Sequence, residues 1–129
     1  MRVFVVEESP ALAARLLERL QVISELSVVG VARSVMEAIK VIPVLEPDLV
    51  ITDTETGDGG GLALLHVLQA RRALARRGPR ILLWTGCQDP RRRAVAEGLG
   101  AEARFDKARE VDLLVEYCRQ LAKRHAQPV

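Results

Sequence analysis

Val3-Phe4-Val5-Val6 runs without a break into Glu7-Glu8-Ser9-Pro10. The first four residues are β-branched, aromatic and uninterrupted, as in a strand buried on both faces. Ser9 then offers a side-chain cap and Pro10 a pre-set first helical residue. Leu12, Leu16, Leu20 and Ile23 follow at helical spacing. A buried strand that turns at once into an amphipathic helix is the first half of a β-α unit, and the rest of the chain repeats that order.

Val28-Val29-Gly30-Val31 reads as the second strand. Ser34 with Glu37 forms a capping box ahead of a helical stripe, Val35, Ile39 and Ile42. Pro43 is expected to end that helix, because it lacks an N–H and its ring clashes with the preceding turn. Leu49-Val50-Ile51 is the third strand, and the glycine-rich turn Gly57 to Gly61 leads to a helix carrying Leu62, Leu65 and Leu68. Ile81-Leu82-Leu83-Trp84 is the fourth strand, and Asp89-Pro90 caps a short helix stopped near Gly98 and Gly100. A weak fifth strand falls around Ala103 to Phe105. The last helix carries Val111, Leu114, Val115, Cys118 and Leu121. Strict alternation with short connections implies right-handed crossovers and a parallel sheet covered on both faces. Five units are too few for an eight-stranded barrel. The expected fold is α/β, a doubly wound five-stranded parallel sheet of flavodoxin-like order 2-1-3-4-5.

The 129 residues suit one domain, with residues 1–124 as its body and 125–129 as a polar tail. Apolar residues make up 49% and charged residues 28%, a globular balance. A net charge of +2 gives no argument for nucleic acid or membrane. No apolar run has the length of a membrane span, and Met1-Arg2 leads straight into a strand, so no signal peptide is expected. Two cysteines, Cys87 and Cys118, make no disulfide framework, and a cytoplasmic location is the default.

In such sheets ligands bind beyond the carboxyl ends of the strands, where strand order reverses. Here that point lies between the first and third strands. Glu7 and Glu8 end the first strand, Asp53 the third and Thr85 the fourth, while Lys107 follows the fifth. Three close carboxylates cannot all ionise without a compensating cation. Mg²⁺ is the natural partner of such oxygen ligands, and Lys107 adds a mobile charge. A carboxylate beside a metal and a lysine is a competent phosphoryl acceptor.

These stretches resemble the receiver domain of two-component response regulators, the CheY-like family, over nearly the whole chain. Val5-Val6-Glu7-Glu8-Ser9-Pro10 resembles the family's strand and acidic pair, and Pro47 to Asp53 the segment ending in its phosphoacceptor. Gly57 to Leu62, Trp84-Thr85-Gly86 and Gly100 to Lys107 are similar to the three conserved stretches that follow. The resemblance implies that Asp53 takes a phosphoryl group from a sensor histidine kinase or phosphotransfer protein. It implies Mg²⁺ held by Glu7, Glu8, Asp53 and the backbone carbonyl of Glu55. Lys107 would pair with Asp53 and then with the phosphoryl group, while Thr85 and the backbone N–H of Gly86 would hold its oxygens. A downstream protein would be met on the face of the fourth helix, fifth strand and fifth helix, with homodimerisation a further option. No enzyme activity is implied beyond self-catalysed phosphotransfer and autodephosphorylation. Both acidic-pair members are Glu here, Arg104 stands at the usual aromatic switch position with Phe105 after it, and Ala108 replaces a proline.

The chain is therefore expected to be a stand-alone receiver. A degenerate receiver, acting as a phosphorylation-independent interaction module, is the alternative. Asp53-Thr54-Glu55 also mimics the metal-binding strand of an exonuclease, but such a reading leaves Glu7, Glu8 and Lys107 without a role. No Lys-Ser/Thr pair follows the glycines, which excludes a P-loop. Eight arginines between 71 and 93 face one acid, Asp89, a local excess of +7. A solvated rim explains them, with an acidic partner as the functional reading. The one aromatic residue among them, Trp84, belongs to the fourth strand, so no aromatic series interleaves for nucleic-acid stacking. Trp84 is expected in the core or at the site's edge, and Cys87 as filler beside it. His66 and His125 lack ligand-spaced partners.

Overall fold

The computed structural model describes residues 1–55, 61–75 and 78–127. Gly57 to Gly60 of the glycine-rich turn, with Arg76 and Arg77, lie outside them. Five β-α units follow one another: β1 (Arg2–Val6), α1 (Pro10–Gln21), β2 (Ser27–Ala32), α2 (Val35–Leu45), β3 (Leu49–Thr52), α3 (Gly61–Ala75), β4 (Arg80–Thr85), α4 (Pro90–Gly98), β5 (Ala101–Asp106) and α5 (Val111–Ala126). The strands form one parallel sheet in the order β2-β1-β3-β4-β5, as the alternation requires.

The sheet separates two apolar layers. On one side Val3, Val5, Ile51, Leu82 and Trp84 pack against Leu16 and Leu20 of α1 and Leu114, Val115 and Cys118 of α5. On the other, Phe4, Val50 and Leu83 meet Ile42 of α2, Leu65 and Leu68 of α3, and Ala96 of α4. Period-two alternation in the strands sends neighbouring residues to opposite layers. The central strands β1 and β3 are buried on both faces, hence their unbroken apolar runs.

Capping sets the helix starts. Ser9 Oγ accepts the N–H of Leu12 at 3.2 Å, and Ser34 Oγ accepts that of Glu37 at 3.2 Å. Asp89 Oδ1 accepts the N–H of Arg91 at 2.9 Å and opens α4. The end of α2 differs from the sequence expectation: the helix runs through Pro43 to Leu45. The proline removes only its own hydrogen bond. Beyond it, Glu46 N–H bonds Ile42 at 2.9 Å and Arg2 donates to the Leu45 carbonyl at 2.6 Å. Glu46, in the left-handed region with φ of 47°, makes the true end, and Pro47 follows. α4 gives way to Gly100, whose φ of +97° suits glycine. α5 continues to Ala126, taking up Arg124 and His125, which favour the negative end of a helix.

Candidate phosphoacceptor site

The carboxyl ends of β1, β3, β4 and β5 meet at one rim, and the buried polar residues Glu7, Thr52, Asp53, Thr54 and Thr85 collect there. Glu7 continues β1: its N–H bonds the Ala32 carbonyl at 2.9 Å, and its side chain turns inward, 2% exposed. Asp53 follows β3 and is 6% exposed. Lys107 Nζ sits between them, 2.5 Å from Glu7 Oε1 and 2.8 Å from Asp53 Oδ2. The other oxygens are also engaged: Ser9 N–H donates to Glu7 Oε2 at 2.9 Å, and Glu55 N–H donates to Asp53 Oδ1 at 3.0 Å. Burial pulls the Lys107 ammonium downward, but hydrogen bonds and charge from Asp53 and Glu7 outweigh it and hold Lys107 above the usual lysine value.

The lysine is itself held. Its N–H bonds the Thr85 carbonyl at 3.2 Å, and its ammonium lies 5.7 Å from the centre of the Trp84 ring. Asp106 Oδ2 accepts the N–H groups of Ala108 and Arg109, at 3.1 and 2.9 Å, fixing the turn after it. Thr85 is buried at the end of β4, beside β3, and its hydroxyl accepts Cys87 N–H at 3.1 Å. Gly86 is exposed, and a Cβ there would meet open space.

Glu7, Asp53 and Lys107 thus come together, with Thr85 on the neighbouring strand. Glu8 does not join them: it is exposed, and its recorded contact is a backbone one, from Arg33 Nε to its carbonyl at 3.4 Å. Alternation at the strand end explains this, since Glu7 faces in and its neighbour faces out. Among the described residues no group of three or more His, Cys, Asp or Glu side chains is arranged to hold a metal. The two buried carboxylates against one ammonium leave one negative charge over, and hard oxygen donors with spare charge suit a divalent ion. Glu7 and Asp53 therefore fit Mg²⁺ by their chemistry. Glu55 is exposed while Asp53 is buried, which splits the pair an exonuclease strand would need.

The aromatic position is resolved by β5. Phe105 points into the α1–α5 layer and meets Tyr117 edge-on, with ring centres 5.5 Å apart. Arg104 faces the other way and donates to the Cys87 carbonyl. Two contributors, Asp106 and Arg92, escaped the sequence reading, and a third, Trp84, was only partly placed. Asp106 left a faint signal as the opening residue of an Asx turn. Trp84 was placed near the site but not over Lys107. Arg92, which reaches the carbonyl of Thr54, was hidden in a run of three arginines.

The family model of the response regulator receiver domain matches residues 3–119. With the fold and the acidic rim in place, the chain belongs to that family, the CheY-like signalling domains of two-component systems. Phosphorylation and Mg²⁺ binding are general features of the family, whose members interact with histidine kinases and downstream targets. The chain is 35% identical over 71 residues to the DNA-binding transcriptional activator DevR/DosR of Mycobacterium tuberculosis, a match covering 55% of this chain and 33% of that protein. The match thus spans about a third of that relative's length. Among solved structures, the signal receiver domain of a DNA-binding response regulator from Colwellia psychrerythraea 34H superposes with a TM-score of 0.82 at 21% identity, over 95% of this chain and 98% of that one. The response regulator domain of Thermotoga maritima CheB gives 0.78 at 18% identity, over 99% and 98%. The isolated receiver domain of RcsB from Salmonella enterica serovar Typhimurium gives 0.79 at 21% identity, over 95% and 88%. Among the described residues no helix is long and apolar enough to cross a membrane.

Proposed function

We propose that this chain works as a receiver that accepts a phosphoryl group on Asp53 and relays it as a change in a protein-contact face. The observation that carries the reading is the ammonium of Lys107 bridging two buried carboxylates, Glu7 and Asp53. An oxygen of Asp53 attacks phosphorus in line. The P–N bond of the donor phosphohistidine breaks, its electron pair returns to the imidazole, and an acyl phosphate forms on Asp53. Lys107 then exchanges part of its contact with the carboxylate for the phosphoryl oxygens, and the Thr85 hydroxyl and Gly86 N–H supply donors on the other side. Glu7, Asp53 and the Glu55 carbonyl would hold Mg²⁺, with Glu8 outside the set as the structure stands; the ion when bound neutralises charge on those oxygens. The donor is a sensor histidine kinase or phosphotransfer protein. The target is a protein docking on α4, β5 and α5, not nucleic acid.

Incubation with acetyl phosphate and millimolar Mg²⁺, read by intact mass, tests this. The expected result is one added phosphoryl group, lost in Asp53→Asn. Labelling that survives Asp53→Asn would refute the acceptor assignment. A second reading, a phosphorylation-independent interaction module, is favoured by the exposed Glu8 and by Arg104 at the switch position. A parent chain that never takes up label would select it.

A further inference from the structure

We propose that Arg92 is a positioning residue for Asp53, acting through a single peptide group; the inference rests on the phosphoacceptor reading of that aspartate. Arg92 is the third residue of α4 and is half-buried. Its Nη1 donates to the Thr54 carbonyl at 3.2 Å, and its Nε lies 3.8 Å from Glu55 Oε1. The Thr54 carbonyl and the Glu55 N–H are two ends of one planar trans peptide and point in opposite directions. The N–H end donates to Asp53 Oδ1 at 3.0 Å. One peptide is thus pinned between a guanidinium and the acceptor carboxylate.

Hydrogen bonds in series polarise each other, and a charged donor makes the strongest link. The guanidinium draws on the carbonyl and makes the N–H a better donor to Asp53. The opposite oxygen, Oδ2, belongs to Lys107 at 2.8 Å. Asp53 is therefore clamped from two directions, by β5's lysine and, through the peptide, by α4.

The peptide has little room to turn away. Gly61, first in α3, lies so close that a Cβ would come within 2.4 Å of the Thr54 carbonyl carbon and oxygen. Thr54 is itself buried. The flanking arginines do not share the role: Arg91 is exposed, and Arg93 pairs with Glu97 on its own helix at 3.1 Å. At 100° per residue only one of three consecutive side chains faces the loop. Arg92 ties the movement of α4 to the carboxylate that would carry the phosphoryl group, a tie that the arginine run alone does not reveal.

The test compares the full chain with Arg92→Ala, Arg92→Lys and Arg93→Ala. Arg93→Ala loses the same charge from the same helix without touching the loop. In ¹⁵N-labelled, unphosphorylated protein, the Glu55 amide is expected to move upfield and exchange about tenfold faster in Arg92→Ala, the factor that loss of one hydrogen bond represents. Arg93→Ala should leave it at the parental value, and Arg92→Lys, which keeps the charge on one ammonium but lacks the guanidinium fork, should recover part of the loss. Labelling by acetyl phosphate should slow about tenfold in Arg92→Ala and not in Arg93→Ala. A Glu55 amide that behaves alike in the two alanine variants would overturn the proposal. So would an altered amide with an unaltered labelling rate, because the tie would then serve structure alone. A parent chain that takes no label defeats the phosphoacceptor reading instead, and the amide comparison still shows whether Arg92 holds the peptide.

Discussion

Replacing Lys107 by Met keeps the aliphatic stem and removes the ammonium from between two buried carboxylates. Breaking a buried ion pair from one side costs about 3–5 kcal/mol, since the abandoned charge has neither water nor partner. Here two acids are abandoned together, Glu7 and Asp53, at 2% and 6% exposure. The lysine side chain is 19% exposed, so water can enter where it stood, and the low end, about 3 kcal/mol, is expected. Urea unfolding followed by Trp84, the one tryptophan, measures it directly. With a slope of about 2 kcal/mol per molar the midpoint should fall by about 1.5 M, the slope unchanged. The folded pKa of Lys107 lies above its unfolded value. Its stabilisation is therefore complete below the unfolded lysine pKa of about 10.4 and fades as pH climbs through the folded value. The parent's advantage over the variant should persist at pH 7 and shrink above about pH 10. A midpoint shift under about 0.5 M at pH 7 would refute the claim that the lysine compensates these two charges.

Gly61→Ala should cost about 1–3 kcal/mol by overpacking against the Thr54 carbonyl, read as a fall in the urea midpoint. Burial pushes the Cys118 thiol up to about 12. Native protein should therefore release one equivalent of thiol to an aromatic disulfide reagent, from half-exposed Cys87, and the second only on unfolding. Glu102 accepts two bonds from Arg80, at 2.6 and 2.7 Å, and one from Tyr117 at 2.6 Å. Burial raises its carboxyl, but these bonds prevail and hold it below the usual range. Glu102→Gln should cost about 1 kcal/mol at pH 7, with the gap closing as pH falls below about 4, measured by thermal unfolding across pH.

The central strands were legible because burial on both faces leaves an unbroken apolar signature, as in Val3 to Val6. β5 was faint for the opposite reason. It is an edge strand in which Glu102 and Arg104 alternate with Ala103 and Phe105, and its true extent, Ala101–Asp106, is set by pairing with β4. α2 overran its proline because contacts from Arg2 and Glu46, distant or beyond the helix, complete its last turn. At the site, the meeting of Glu7, Asp53 and Lys107 follows from topology, which the alternation fixes. The outward turn of Glu8 depends on which way one strand end is phased. The reach of Arg92 depends on a rotamer and a loop path, and neither is written in residue spacing.

The two apolar layers share a wall but no side chains. Leu20 belongs wholly to one and Leu68 wholly to the other. Damage on either side should therefore leave the opposite side intact, and Leu20→Ala with Leu68→Ala should cost the sum of their separate losses. Such independence lets the α1–α5 half vary its packing without disturbing the half that carries α4, so the two sides of the molecule can drift at different speeds while the acidic rim above them keeps its shape.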